Sequence, residues 1–139
     1  MNQDIRWQQR FQNFDRALGL LRSALAGKQI EDYNELETEG LVQRFEYTFE
    51  LAWKTVKDYL EYSGVVLTQI TPAAVIKEAF AAKLISDGEL WMEMLKRRNV
   101  MSHTYDFQQF QAAVAAIHAR YLTAFEQLHG LLRKEAASL

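Results

Sequence analysis

A single proline, Pro72, and only six glycines interrupt the 139 residues of this chain, and between them apolar residues recur every three or four positions rather than every second one. That spacing marks helices with one buried stripe, and the scarcity of turn formers leaves little room for hairpins. It predicts an all-α fold, an antiparallel up-and-down helical bundle of four to five helices forming one domain over residues 1–139. With 49% hydrophobic residues, the chain has apolar mass for one core and too few residues for two.

The stripes can be placed one by one. Trp7, Phe11, Phe14, Leu18, Leu21 and Leu25 alternate steps of four and three, the seam of helices packed side by side, and Gly27 is read as the residue that stops them. Glu31, Asp32, Glu35, Glu37 and Glu39 follow with no basic residue to face, which predicts a solvated, mobile linker or else a docking strip for a basic surface. A second helix is expected from Leu36 or Thr38 to Ser63, with Gly64 after it, and its core stripe is Leu41, Phe45, Phe49, Ala52, Val56 and Leu60. About 100° round the same helix lie Glu46, Glu50, Trp53 and Lys57. A large aromatic among carboxylates is not plain solvent surface, and this stripe is expected to lie in a homodimer interface. Thr71 and Pro72 open a short third helix that buries Val75, Ile76, Ala79 and Phe80. Ser86 and Glu89 form a capping-box pattern before a fourth, Leu90 to about Met101. The last begins near Asp106 or Phe107 and carries Phe110, Val114, Ile117, Tyr121, Phe125, Leu128 and Leu132 inward.

Several function classes are disfavoured at once. Sixteen basic residues against 18 acidic ones leave a net charge of −2, which argues against coating nucleic acid by bulk charge and restricts any such contact to a local patch. The chain has no cysteine, hence no disulfide, thiolate nucleophile or sulfur-based zinc site. The polar start MNQDIRWQQR lacks a signal peptide's apolar stretch and no apolar run reaches the ~18 residues that span a bilayer, so a cytoplasmic protein without membrane contact is expected. His118, His129, Glu126, Glu46 and Glu50 invite a metal reading. A carboxylate-bridged di-iron bundle, however, needs the Glu-x-x-His step twice, and Glu126 with His129 supplies it once. No metal is expected. Neither a Gly-x-Ser-x-Gly elbow nor a glycine-rich phosphate loop is present, so no cofactor is expected either.

The dense polar cluster is Lys96-Arg97-Arg98-Asn99-Val100-Met101-Ser102-His103-Thr104-Tyr105-Asp106. Guanidinium, imidazole, amide and phenol together suit phosphodiester cleavage. The first grips a phosphate at two points and offsets growing charge. The second moves protons near neutral pH, and Asn99 and Tyr105 orient phosphate or base. On one unbroken helix Arg98 and Tyr105 share a face, whereas His103 sits about 140° from Arg98. Either the helix ends near Met101 and His103 turns back, or two copies meet across a two-fold axis, one chain's Arg facing the other's His. A dimer would also double the three adjacent cations. The plain alternative is a helix C-terminus with Lys and Arg near its dipole and a capping His.

At these residues the sequence resembles a known family. Arg98-x4-His103-x-Tyr105, within RRNVMSHTYD, is similar to the signature of HEPN domains in the form carried by HepT-type toxins. QRFEYTFELAWKTVKDYLE, Gln43 to Glu61, is similar to the second helix of the nucleotidyltransferase substrate-binding proteins in that group, and the resemblance covers nearly the whole chain. It implies a dimerising helical bundle encoded beside a minimal nucleotidyltransferase, and metal-independent endoribonuclease activity on RNA. Arg98 and His103 are then the expected catalytic pair, Arg98 holding the scissile phosphate and His103 transferring a proton as the ribose 2′-hydroxyl attacks. Asn99 and Glu50 are the expected substrate-binding or supporting residues. Tyr105 matches the tyrosine that the partner modifies with AMP, which silences the toxin; otherwise its ring packs at the junction. Arg98 and His103 are both expected to be exposed. Two functions compete, a ribonuclease toxin of a toxin–antitoxin pair and a non-catalytic subunit that presents substrate to the nucleotidyltransferase.

Overall fold

A computed structural model of the chain describes residues 2–138, and every regular element among them is helical. In order these are α1 (Gln3–Leu25), a 3-10 turn (Ile30–Asp32), α2 (Glu35–Tyr62), α3 (Pro72–Ala81), α4 (Gly88–Met101), α5 (Phe107–Ala116), a π-helical turn (Ile117–Tyr121) and α6 (Leu122–Ala137). α1 and α2 run antiparallel. Trp7 and Tyr59 meet in a T-shaped pair at 5.0 Å near one end, and the Arg44 guanidinium donates to the Leu20 carbonyl near the other. α6 returns along α1, stacking His129 on Phe11 at 5.1 Å and Phe125 edge-on to Phe14 at 6.3 Å.

The stripes anticipated for α2 and for the C-terminal run are buried at every position, as are those of α1 apart from the half-buried Phe11. Trp7, Phe14, Phe45, Phe49, Tyr121 and Phe125 are the largest fully covered side chains, and each of the phenylalanines contributes about 1.5–3 kcal/mol on leaving water. From Phe110 to Leu132 a straight α-helix at ~100° per residue overshoots six turns by about 40°. The π turn between α5 and α6 rotates less per residue and takes up part of that drift, keeping one stripe on the core.

Helix ends follow local chemistry. Gly27 and Gly64 leave α1 and α2 with φ of 70° and 93°, backbone conformations that favour glycine. The Thr71 hydroxyl accepts the Ala74 N–H ahead of Pro72. The acidic linker is less idle than its composition suggests. Asp32 accepts from the Gln29 N–H at 2.7 Å, and Asn34 and Glu37 close a reciprocal capping box on α2.

Two sequence expectations are corrected. Asp87, not Ser86, caps α4, its carboxylate accepting from the Leu90 N–H at 3.0 Å. Both residue types cap well, but the carboxylate also complements the positive helix end. Phe80 is 54% exposed rather than buried. Val75, Ile76 and Ala79 fill the inner face of α3, and Phe80 lies instead over Gly88, where an added Cβ would come within 3.3 Å of the ring.

Candidate functional site

α4 stops at Met101 because the chain then turns. The N–H groups of Ser102, His103 and Thr104 satisfy the carbonyls of Arg98, Val100 and Met101, and Asp106 caps α5 through the Gln108 N–H. Of the two arrangements anticipated for His103, the helix break is therefore realised. It does not join His103 to Arg98. Among the described residues no hydrogen bond or ion pair links the two side chains.

Arg98 turns instead toward α2. One terminal nitrogen is held by the Glu50 carboxylate and the other donates to Asn99 Oδ1 at 3.0 Å. Glu50 also accepts from the Trp53 indole N–H at 3.0 Å and meets Lys54 Nζ at 3.2 Å. Burial pushes the Glu50 carboxyl up, but the bonds from Trp53 and Lys54 and the charges of Arg98 and Lys54 outweigh it and hold it below its ordinary value. Glu46, one turn earlier, is half-buried without such bonds, and burial raises its carboxyl against the opposing pull of Arg98.

The side chains of Arg98 and Glu50 keep only 26% and 31% of their surfaces exposed, so Arg98 is not the open residue anticipated. Trp53 is likewise buried in its own chain. Its place in the polar stripe reflects the indole N–H bonded to Glu50, and it therefore gives no support to an interface. Lys57 leaves the stripe as well, pairing with Asp58 and Glu61. Lys54, which sequence reasoning missed, is the lysine that reaches Glu50, and its i,i+4 spacing was the available signal.

The three adjacent cations do not form one patch. At ~100° per residue their heads part: Arg98 reaches Glu50, Arg97 reaches the Tyr121 hydroxyl at 3.0 Å, and Lys96 borders a shallow groove along α4. His103, exposed, lies in that groove with Asn99, Val100 and Thr104 over Met92 and Leu95. Tyr105 is 95% exposed, which rules out the packed ring considered above. A polar network behind α4 was also missed. Tyr121, fully buried, donates to Glu93 at 2.5 Å, and Arg120 holds the same carboxylate with two bonds. Burial and the neighbouring carboxylate raise the Tyr121 phenol, so it stays a donor.

Of the residues considered for metal binding, Glu126 pairs with Arg22 and His129 with Asp15. Among the described residues no group of three His, Cys, Asp or Glu side chains is placed to hold a metal ion, and no helix is long and apolar enough to cross a membrane.

Residues 9–134 match the family described as nucleotidyltransferase substrate binding protein like. The chain belongs to that family. This agrees with the HEPN, HepT-like resemblance carried by RRNVMSHTYD and QRFEYTFELAWK. A curated Haemophilus influenzae relative, named "Probable ribonuclease HepT", is 32% identical over 81 residues, which is 56% of this chain and 56% of the relative. The chain thus matches little more than half the length of that relative. A crystal structure from Thermus thermophilus is 29% identical, with a TM-score of 0.73 over 86% of this chain and 98% of its own. A Haemophilus influenzae structure, described as the fold of a substrate binding domain of a nucleotidyltransferase, gives a TM-score of 0.75 at 24% identity over 88% and 98% of the two chains, and shares the fold.

Proposed function

We propose that this family member is a single-domain HEPN subunit paired with a minimal nucleotidyltransferase and acts as a metal-independent endoribonuclease toxin, with Arg98 and His103 at a homodimer cleft. The observation that carries the reading is a held guanidinium at the end of α4 with an exposed imidazole on the turn that follows. Glu50 and Asn99 each take one terminal nitrogen of Arg98, and its remaining N–H groups are donors for a phosphate. His103 takes the proton of the ribose 2′-hydroxyl, the 2′-oxygen bonds to phosphorus, and the bond to the 5′-oxygen breaks as that oxygen takes a proton from water, leaving a 2′,3′-cyclic phosphate and a 5′-hydroxyl. Arg98 offsets charge on the phosphoryl oxygens as this happens.

Because one chain holds Arg98 against α2 and His103 in a different groove, a second copy is the simplest source of the missing partner, with two chains juxtaposing Arg98 of one and His103 of the other. The exposed Val100 and Tyr105 beside the motif suit a face that another surface covers. Cytoplasmic action on RNA follows from this reading. Purified protein should cut RNA in EDTA, and His103→Ala should abolish cutting without changing the thermal midpoint. Loss of activity on chelation, or parental cleavage by the variant, refutes the assignment.

The family description favours a second reading, a non-catalytic subunit that presents substrate to the nucleotidyltransferase. Tyr105 separates the two. In the toxin reading the partner transfers AMP from ATP to the exposed phenol, the phenolic oxygen bonding to the α-phosphorus as pyrophosphate leaves and the phenol proton is lost. The added anion then competes with RNA phosphate for Arg98. Intact-mass measurement with partner and ATP should show a gain that Tyr105→Phe removes. A gain that persists in Tyr105→Phe, or none while the partner modifies another target, favours the presenting subunit.

A further inference from the structure

Glu93 and Arg97 lie one turn apart on α4, and both are bonded to the hydroxyl of Tyr121 on the π turn, at 2.5 and 3.0 Å. Arg120, the preceding residue, meets the same Glu93 carboxylate with bonds of 3.0 and 2.6 Å. Two consecutive side chains of the π turn thus converge on one carboxylate of α4. On the next face of α4, Met94 and Met101 are buried and Arg98 reaches Glu50 of α2. α4 is therefore gripped from two sides, by the π turn through positions 93 and 97 and by α2 through position 98. Arg97 and Arg98 are neighbours on one rigid helix. Any rotation of α4 that releases Arg97 from Tyr121 moves Arg98 relative to Glu50 and the Trp53 indole bonded to it.

We propose that Tyr121 is a positioning residue, whose buried hydroxyl fixes the rotation of α4 and thereby the place of the Arg98 guanidinium. It does not touch the reacting atoms. The π turn serves this role: its wider winding brings residues 120 and 121 nearer in azimuth than an α-helix does, so both heads reach Glu93. The kinetic arm of the test rests on the ribonuclease reading; the spectroscopic arm does not.

The test is Tyr121→Phe, which keeps the ring stacked on Phe45 at 5.4 Å and removes only the hydroxyl. In 15N-labelled protein the Trp53 indole N–H resonance, identified by its loss in Trp53→Phe, should shift. The kcat for RNA should fall about tenfold with KM within about twofold, as expected when a binding group is displaced rather than lost. Val75→Ala, a core truncation in α3, should lower the thermal midpoint while leaving both readouts in place. Should Tyr121→Phe fold poorly, Glu93→Gln should shift the Trp53 resonance in the same direction. An unmoved Trp53 resonance overturns the proposal, as does an unchanged kcat in a protein whose parent cleaves. Equal changes in Val75→Ala overturn it too, because they would reduce Tyr121 to a stability element. If the parent does not cleave RNA, the ribonuclease reading fails and the Trp53 resonance alone decides the positioning role.

Discussion

Removing Arg98 should cost stability as well as activity, unlike removing the exposed His103. The Arg98 and Glu50 side chains are 26% and 31% exposed, between the solvent-exposed pairs that contribute about 0.2–1 kcal/mol and charge-assisted bonds that contribute about 1.5–3 kcal/mol. Arg98→Ala is therefore expected to cost about 1–2 kcal/mol. For a domain of this size that lowers the thermal midpoint by roughly 4–8 °C. Part of the cost arises because Glu50 then faces Glu46, four residues away, with Lys54 alone to offset them. Glu50→Gln keeps an oxygen for the Trp53 indole and removes the charge, so it completes a double-mutant cycle by urea denaturation. The coupling between Arg98→Ala and Glu50→Gln should be about 1 kcal/mol at pH 7. Glu50 has a folded-state pKa below its unfolded value near 4.5, so its ionic contribution is full above that value and is lost as pH falls through the depressed folded value. The coupling should shrink on the same acid side. Additivity within about 0.3 kcal/mol at pH 7 would show that the ion pair contributes nothing and would refute the reasoning.

Glu46 should behave oppositely, because burial raises its carboxyl. Its ionisation opposes folding, so the stability is present at low pH and lost as pH rises through the raised value; Glu46→Gln should stabilise the protein at pH 7 and have no effect near pH 4, measured by denaturant midpoints. Asp87→Ala should lower stability by about 1 kcal/mol through loss of the α4 cap while Ser86→Ala leaves it within about 0.5 kcal/mol; equal effects would return the cap to Ser86.

The core was legible because helical periodicity follows directly from burial. The stripes Leu41 to Leu60 and Phe110 to Leu132 could be read without knowing any partner surface, and they are buried at every position. What failed depended on atoms outside the pattern. Phe80 fits the helical period but reaches the edge of Gly88 rather than the core. Trp53 looks misplaced among carboxylates until its indole N–H is seen on Glu50. Lys96, Arg97 and Arg98 read as one basic cluster in sequence, yet a helix sends neighbours to different faces, and their partners Glu50 and Tyr121 lie 48 and 24 residues away. No local spacing announces such pairs. The end of α4 at Met101 was legible as one of two options, and the separate environments of Arg98 and His103 were not.

That separation allows a direct test of the central claim, that Arg98 of one chain and His103 of another form the cleaving centre. Arg98→Ala and His103→Ala proteins should each be inactive alone. After mixing under conditions that exchange subunits, half the dimers carry one chain of each kind, and in these one centre combines an intact Arg98 with an intact His103. Ribonuclease activity should then return to about a quarter of the parental level. A mixture that remains inactive, although mass measurement shows heterodimers, would contradict a centre shared between chains.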